Sequence, residues 1–148
     1  MPQDRNADEA GLRRLIMSYA RCCDTRDGAT FATLYAPGAV LEGPGFKNNT
    51  AEGIRAVPAS LNVFKKTYHT VLNTVFDIKG DRATGVIYSM AHHLTPLADG
   101  KHNDLVMYIT YHDKYVRSSD AWQFENRRVE MEFTENRTVE NLGTMPKI

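Results

Sequence analysis

The sequence predicts an α+β domain with its helices first and its sheet second. Three observations lead there. Apolar residues in the first third recur at helical spacing. After residue 66 the period falls to two, in segments rich in Val, Ile, Thr, Tyr, Phe and Trp. The connections between those segments are short, which makes neighbouring strands antiparallel. The 148 residues suit a single domain, 1–148, around one core.

Taken in order, Leu12, Leu15, Ile16, Tyr19, Ala20 and Cys23 form one face of a first helix. Asn6 followed by Glu9 reads as a capping box at its start. Asp27 reads as the N-cap of a short second helix carrying Phe31, Leu34 and Tyr35. A brief strand, Ala39-Val40-Leu41, lies between Pro37-Gly38 and Gly43-Pro44-Gly45. A third helix is expected from about Glu52 to Lys66, with Pro58 kinking it or marking its first turn. Strands follow over 68–78, 82–94, 104–116 and 121–133, and the polar stretch from about 135 to 148 is expected to trail as an extended tail.

Eighteen basic residues balance eighteen acidic ones without a block of like charge, which argues against nucleic acid or an anionic membrane as the main partner. No apolar run approaches the roughly 20 residues of a membrane helix, and no export signal is visible, so a cytoplasmic domain is expected. Cys22 and Cys23 are adjacent; they make neither a disulfide framework nor a zinc ligand set, and read as small half-buried residues in a reducing compartment. A small-molecule pocket is the place to look for function.

Asp24 is the most informative residue. A continuing helix places it on the apolar face, where a carboxylate needs a partner; if the helix ends first, it faces water or caps the next segment. His69, at the opening of the first long strand, is the natural partner: paired with a buried carboxylate, its imidazole is fixed in one tautomer and becomes a general base. Asn73, four residues on, offers an amide dipole on the same strand face. His92 and His93 are adjacent and point to opposite faces, so one of them reaches the interior and the two cannot share a metal. His102 and His112 have no partner by spacing and read as surface residues. Asp104 follows the Asp99-Gly100 turn as a solvated or pocket carboxylate. Trp122 and Phe124 face the core; Arg128 is in phase with Trp122, whereas Arg127 reaches the interior only if a bulge intervenes. One of these arginines could reach a pocket anion or enolate oxygen. No phosphate loop, nucleophile elbow or metalloprotease motif occurs, and neither a metal site nor a cofactor is expected.

The run Tyr19-Ala20-Arg21-Cys22-Cys23-Asp24-Thr25-Arg26-Asp27, then Leu34 through Val40, Tyr68-His69 through Asn73, Gly80 through Gly85, and Tyr115 before Trp122 resembles the SnoaL-like, scytalone dehydratase-like branch of the NTF2-like superfamily, over about residues 9–133. The resemblance implies a curved antiparallel sheet closed by three N-terminal helices into a cone. It also implies a catalytic aspartate–histidine pair at Asp24 and His69, with a further histidine at His93. The two tyrosines of scytalone dehydratase fall on Cys23 and Gly43, which disfavours scytalone as substrate. The stretches Tyr19–Asp24 and Gly100–Asp104 are similar to bile-acid 7α-dehydratase and raise Tyr19 and Asp104 as pocket residues.

The resulting expectation is a cofactor-independent lyase or isomerase (dehydratase, isomerase or cyclase) acting on a hydrophobic cyclic carbonyl compound. Asp24, His69 and His93 are its catalytic residues, and Tyr19, Tyr35, Asn73, Asp104, Trp122, Arg127 and Arg128 its substrate contacts. The alternative is a non-catalytic binding or structural subunit, of the kind found as small subunits of ring-hydroxylating dioxygenases. A homodimer or homotrimer is expected, because three short helices cover one sheet face and leave the other, carrying Met107, Ile109, Tyr111 and Tyr115 or their alternates, exposed.

Overall fold

The computed structural model describes residues 4–119 and 121–144. Helix α1 spans Arg5–Thr25 and α2 spans Gly28–Thr33. Strand β1, Tyr35–Gly43, turns into β2, Phe46–Asn48, and α3 follows over Ala51–Ser60, with one 3-10 turn at Leu61–Val63. Four long strands complete the chain: β3 Lys66–Lys79, β4 Arg82–Pro96, β5 His102–Ser118 and β6 Ala121–Val139. They form one curved sheet in the order β2-β1-β6-β5-β4-β3. All pairs are antiparallel except β1 with β6, which run parallel.

Each helix start is fixed by a side chain. Asp4, rather than Asn6, caps α1 by accepting from the backbone N–H of Asn6 and Ala7, while Glu9 is occupied by Arg5 and Arg13. Asp27 accepts from Thr30 N–H and caps α2 as expected. Leu34 ends α2, so Tyr35 opens β1 instead of continuing the helix. β1 is therefore longer than Ala39–Leu41, because its edge is stabilised by β6, a partner that local sequence does not show. Helix α3 stops at Ser60 and not near Lys66. Pro58 lacks the N–H that would bond one turn back, and the helix yields to the 3-10 turn shortly after it. β6 extends to Val139, since Glu135–Val139 pairs with His102–Val106; the tail expected from 135 thus starts as strand, and its last four residues lie outside the described ones.

The expected helix face is buried, with Leu12 fully enclosed and Ile16 nearly so. It packs on the inner sheet face, where Ala83, Ile87, Ala91, Ile109, Tyr111, Tyr115 and Phe124 complete the core. Met107, Ile109, Tyr111 and Tyr115 thus line the interior; their alternates Val106, Tyr108, Thr110 and His112 occupy the outer face. Asp8 pins the far end of α1 to the sheet: it accepts from the indole N–H of Trp122 at 3.1 Å and pairs with Arg117. Among the described residues no helix is long and apolar enough to cross a membrane.

Three single-residue bulges set which side chains point inward. One lies between Val71 and Thr74 of β3, and two lie in β6, at Glu125 and Glu132. Pairing of β1 with β6 ends at Glu42 opposite Arg128, so beyond that point β6 has no strand on its second edge among the described residues. Leu12→Ala should lower unfolding stability by about 2–5 kcal/mol, the usual cost of a cavity at a fully buried leucine; urea titration followed by Trp122 fluorescence checks it.

Candidate active site

The site forms where the last turn of α1 meets the first residues of β3. Asp24 is on that last turn, its side chain 22% exposed. Its Oδ1 lies 2.7 Å from Nδ1 of His69 and accepts from the Thr67 hydroxyl at 2.9 Å. Its Oδ2 accepts from the backbone N–H of His69 at 2.9 Å. The helix therefore persists far enough to present Asp24 to the sheet. The strand's two-residue period places Thr67 and His69 on the same inner face to receive it.

Because a carboxylate only accepts, Nδ1 of His69 carries a proton, so in the neutral imidazole the lone pair lies on Nε2. Burial pushes the Asp24 carboxyl up, but the hydrogen bonds from the His69 ring and N–H, the His69 charge and the Thr67 hydroxyl outweigh it and hold Asp24 below the usual carboxylate range. His93 faces inward, edge-on to His69 with ring centroids 5.6 Å apart, and against Phe64 at 4.8 Å. Its Nδ1 lies 3.3 Å from the Leu105 carbonyl, which fixes the proton there. Burial, then the neighbouring His69, lowers its pKa, so His93 is neutral. Cys23, next to Asp24, is inert: burial and the Asp24 charge push its thiol up to about 12.

Behind the dyad the interior is polar but sealed. The bulge at Glu125 turns Arg127 inward, where Nε and Nη2 grip both oxygens of Asp113 at 2.8 and 2.7 Å. Burial opposes the guanidinium charge, but Asp113 outweighs it and keeps Arg127 protonated. The guanidinium carbon lies over the rings of Tyr111, Tyr19 and Phe124 at 4.0, 4.2 and 4.4 Å. Tyr19 and Tyr35 are buried in the same aromatic cluster.

Other candidates fall elsewhere. Asn73 sits in the β3 bulge, which breaks its phase with His69 and leaves it exposed. Asp104 belongs to the outer face, on the opposite side from His93; its Oδ2 bonds His92 Nδ1 at 2.6 Å. Arg128, beyond the same bulge that turns Arg127 in, is exposed beside Glu130. Trp122 is committed to Asp8 at the far end of α1, and the 420 Å3 cleft it lines contains Asp8, Arg14 and Arg117 and neither member of the dyad. His112 is not unpartnered: Nε2 contacts Glu130 at 2.6 Å. Thr67 and Asp113 were missed. Thr67 was accessible as the residue two before His69 on one strand face, whereas Asp113 required the cross-strand register. Among the described residues no group of His, Cys, Asp and Glu is arranged to hold a metal ion.

Asp24→Asn should lose stability in a pH-dependent way. A carboxyl held below its unfolded value, about 3.9, stabilises the fold above that pH and ceases to as pH falls through the lower folded value. The stability gap between wild type and variant, read by denaturant melts from pH 7 to 2.5, should be widest near neutrality and close at the acid end.

Residues 4–128 match the family of SnoaL-like domains. No curated protein matches the chain. Similar solved structures include a protein of Kribbella flavida (TM-score 0.79, 21% identity, 89% of this chain and 95% of that one). A hexachlorocyclohexane dehydrochlorinase, LinA-type3, of Novosphingobium barchaimii gives a TM-score of 0.77 at 18% identity, covering 90% and 92%. A protein of Novosphingobium aromaticivorans provisionally named a scytalone dehydratase gives 0.77 at 18%, covering 94% and 95%. At these identities the likeness establishes the fold, the NTF2-like cone, and nothing of the reaction. With the family match spanning most of its length, the chain belongs to the SnoaL-like family.

Proposed function

We propose that the protein is a cofactor-independent lyase or isomerase that removes a proton next to the carbonyl of a hydrophobic cyclic compound. The observation that carries this reading is the 2.7 Å contact between Asp24 and His69, which leaves Nε2 of His69 as a base. Nε2 takes the α-proton and the electron pair moves into the carbonyl to give an enolate. Asp24 stabilises the imidazolium so formed. If a hydroxyl lies β to the carbonyl, the enolate collapses, the C–O bond breaks, and the imidazolium returns its proton to the departing oxygen as water. Without that leaving group the imidazolium returns its proton to a different carbon of the enolate system, giving isomerisation, or the enolate carbon attacks a second carbonyl of the same molecule, forming the ring C–C bond while the imidazolium gives its proton to the new alkoxide.

Neutral His93, with its proton held toward Leu105, fits a neighbour that orients His69 better than an acid for the leaving group. Arg127 supplies positive charge from behind Tyr19, within the aromatic wall. Two of the similar structures bear names that denote eliminations, which agrees with this chemistry. The free cysteines Cys22 and Cys23 suit the cytoplasm.

We infer too that the protein works as a homodimer or homotrimer through the outer sheet face. That face exposes Tyr68, Val75, Val86, Tyr88 and Phe133, and a groove of about 720 Å3 bordered by Val40, His112 and Arg128. Tyr88→Lys should shift the protein to a smaller species in sedimentation velocity while leaving its circular dichroism unchanged.

The test of the reaction is deuterium uptake in D2O by a panel of cyclic ketones, 1-tetralone among them, followed by NMR. Wild type should accelerate uptake, and His69→Ala should cut the acceleration by at least about a hundredfold with the fold intact. An active His69→Ala protein would overturn His69 as the base, and a wild type that accelerates none of the panel would favour the non-catalytic subunit.

A further inference from the structure

Arg26 closes α1 in a conformation that side chains other than glycine's seldom adopt, with φ +59°. Glycine adopts this C-cap conformation without the backbone cost that a side chain brings, so the Arg26 side chain has work to do. Both terminal nitrogens of its guanidinium are engaged. Nη1 donates to the Thr67 hydroxyl at 2.7 Å and to the Cys23 carbonyl at 2.5 Å, and Nη2 donates to the Leu61 carbonyl at 3.0 Å. Thr67, only 2% exposed, passes the bond on, donating its own proton to Asp24 Oδ1 at 2.9 Å. That is the same oxygen that accepts from His69.

We propose that Arg26 and Thr67 are positioning residues that set the basicity of the Asp24–His69 dyad through a directed hydrogen-bond chain, Arg26 to Thr67 to Asp24 to His69. The proposal rests on the reading of the dyad as the base. Thr67 cannot be reversed in this chain. Arg26 has no lone pair to offer, so the Thr67 oxygen must accept from it and its proton must point at Asp24. The donor thereby drains charge from the oxygen that holds the imidazole, and a cation lies one bond behind it. Both effects weaken the dyad's hold on a proton, which frees Nε2 of His69 at lower pH. The other titratable groups near Asp24 are Cys23 beside it on α1 and His93 of β4 behind His69. The 3-10 turn at Leu61–Val63 brings only a backbone carbonyl.

The experiment follows the 13Cγ resonance of Asp24 through acid titration in wild type, Thr67→Val, Thr67→Ser and Arg26→Gly, and needs no substrate. Thr67→Val keeps the shape and removes the donor. Arg26→Gly removes the cation and relaxes the backbone, so it carries the test even if Thr67→Val does not fold. Each should raise the Asp24 midpoint by roughly half a unit to one unit, and Thr67→Ser should restore the wild-type value. The acid limb of 1-tetralone exchange should move up in the same variants and return with Thr67→Ser. Midpoints that superimpose on wild type in the folded variants, or a Thr67→Ser protein that behaves like Thr67→Val, would overturn the proposal. If wild type exchanges nothing but the midpoints move as stated, the proposed reaction fails and the chain stands.

Discussion

One carboxylate holds the first helix to the sheet at the candidate site. Asp24 takes three hydrogen bonds from β3, two from side chains and one from the backbone. It therefore ties the C-terminal turn of the first helix to the opening of the first long strand, elements that the chain itself separates by more than forty residues. An unpaired carboxylate largely withdrawn from water would be costly, whereas one with three donors is retained cheaply and in one orientation. The chemistry read from the site starts from this contact, which fixes the tautomer of His69 and gives the Thr67 hydroxyl its acceptor.

The second constraint is parity. Each strand buries alternate residues, and each one-residue bulge exchanges the two sets. The bulge at Glu125 decides that Arg127 enters the aromatic cluster while Arg128 meets solvent. The bulge after Val71 decides that Asn73 leaves the face that His69 holds. The curvature that turns a flat sheet into a cone thus also selects the side chains it encloses. Asp104 shows the same rule without a bulge: it pairs across from Leu94, one residue out of step with His93, and so serves the outer face.

This explains which parts were legible from the residues alone. The α+β class, the helix face of Leu12, Leu15, Ile16 and Tyr19, and the Asp27 cap follow from local periodicity and capping chemistry, which operate over a few residues. The meeting of Asp24 with His69 was legible because a buried carboxylate demands a partner. The choice between His92 and His93 depended on resemblance to a family, since nothing local distinguishes the two faces of a strand. Asn73 leaves the inner face, and Asp104 and the pair Arg127 and Arg128 stayed open in the sequence, for one physical reason: bulges and cross-strand register are properties of pairing, not of sequence spacing. The extension of β6 to Val139 was missed similarly, because a polar stretch becomes strand when β5 offers it hydrogen bonds.

Beyond Arg128 no strand among the described residues pairs with the second edge of β6, and that margin has a consequence for how the protein survives in a crowded cell. Bare strand margins recruit strands from other chains and seed fibrous deposits. Here the exposed stretch interleaves Glu130, Glu132 and Glu135 with its apolar residues Met131 and Phe133, and ends near Arg137. An incoming copy would have to strip water from a carboxylate at nearly every second position. The same acids are held by donors of β5: Glu135 by Tyr108, Glu132 by Thr110 and Glu130 by His112. These contacts keep them fixed along the margin, where they hold off runaway sheet growth without closing the sheet.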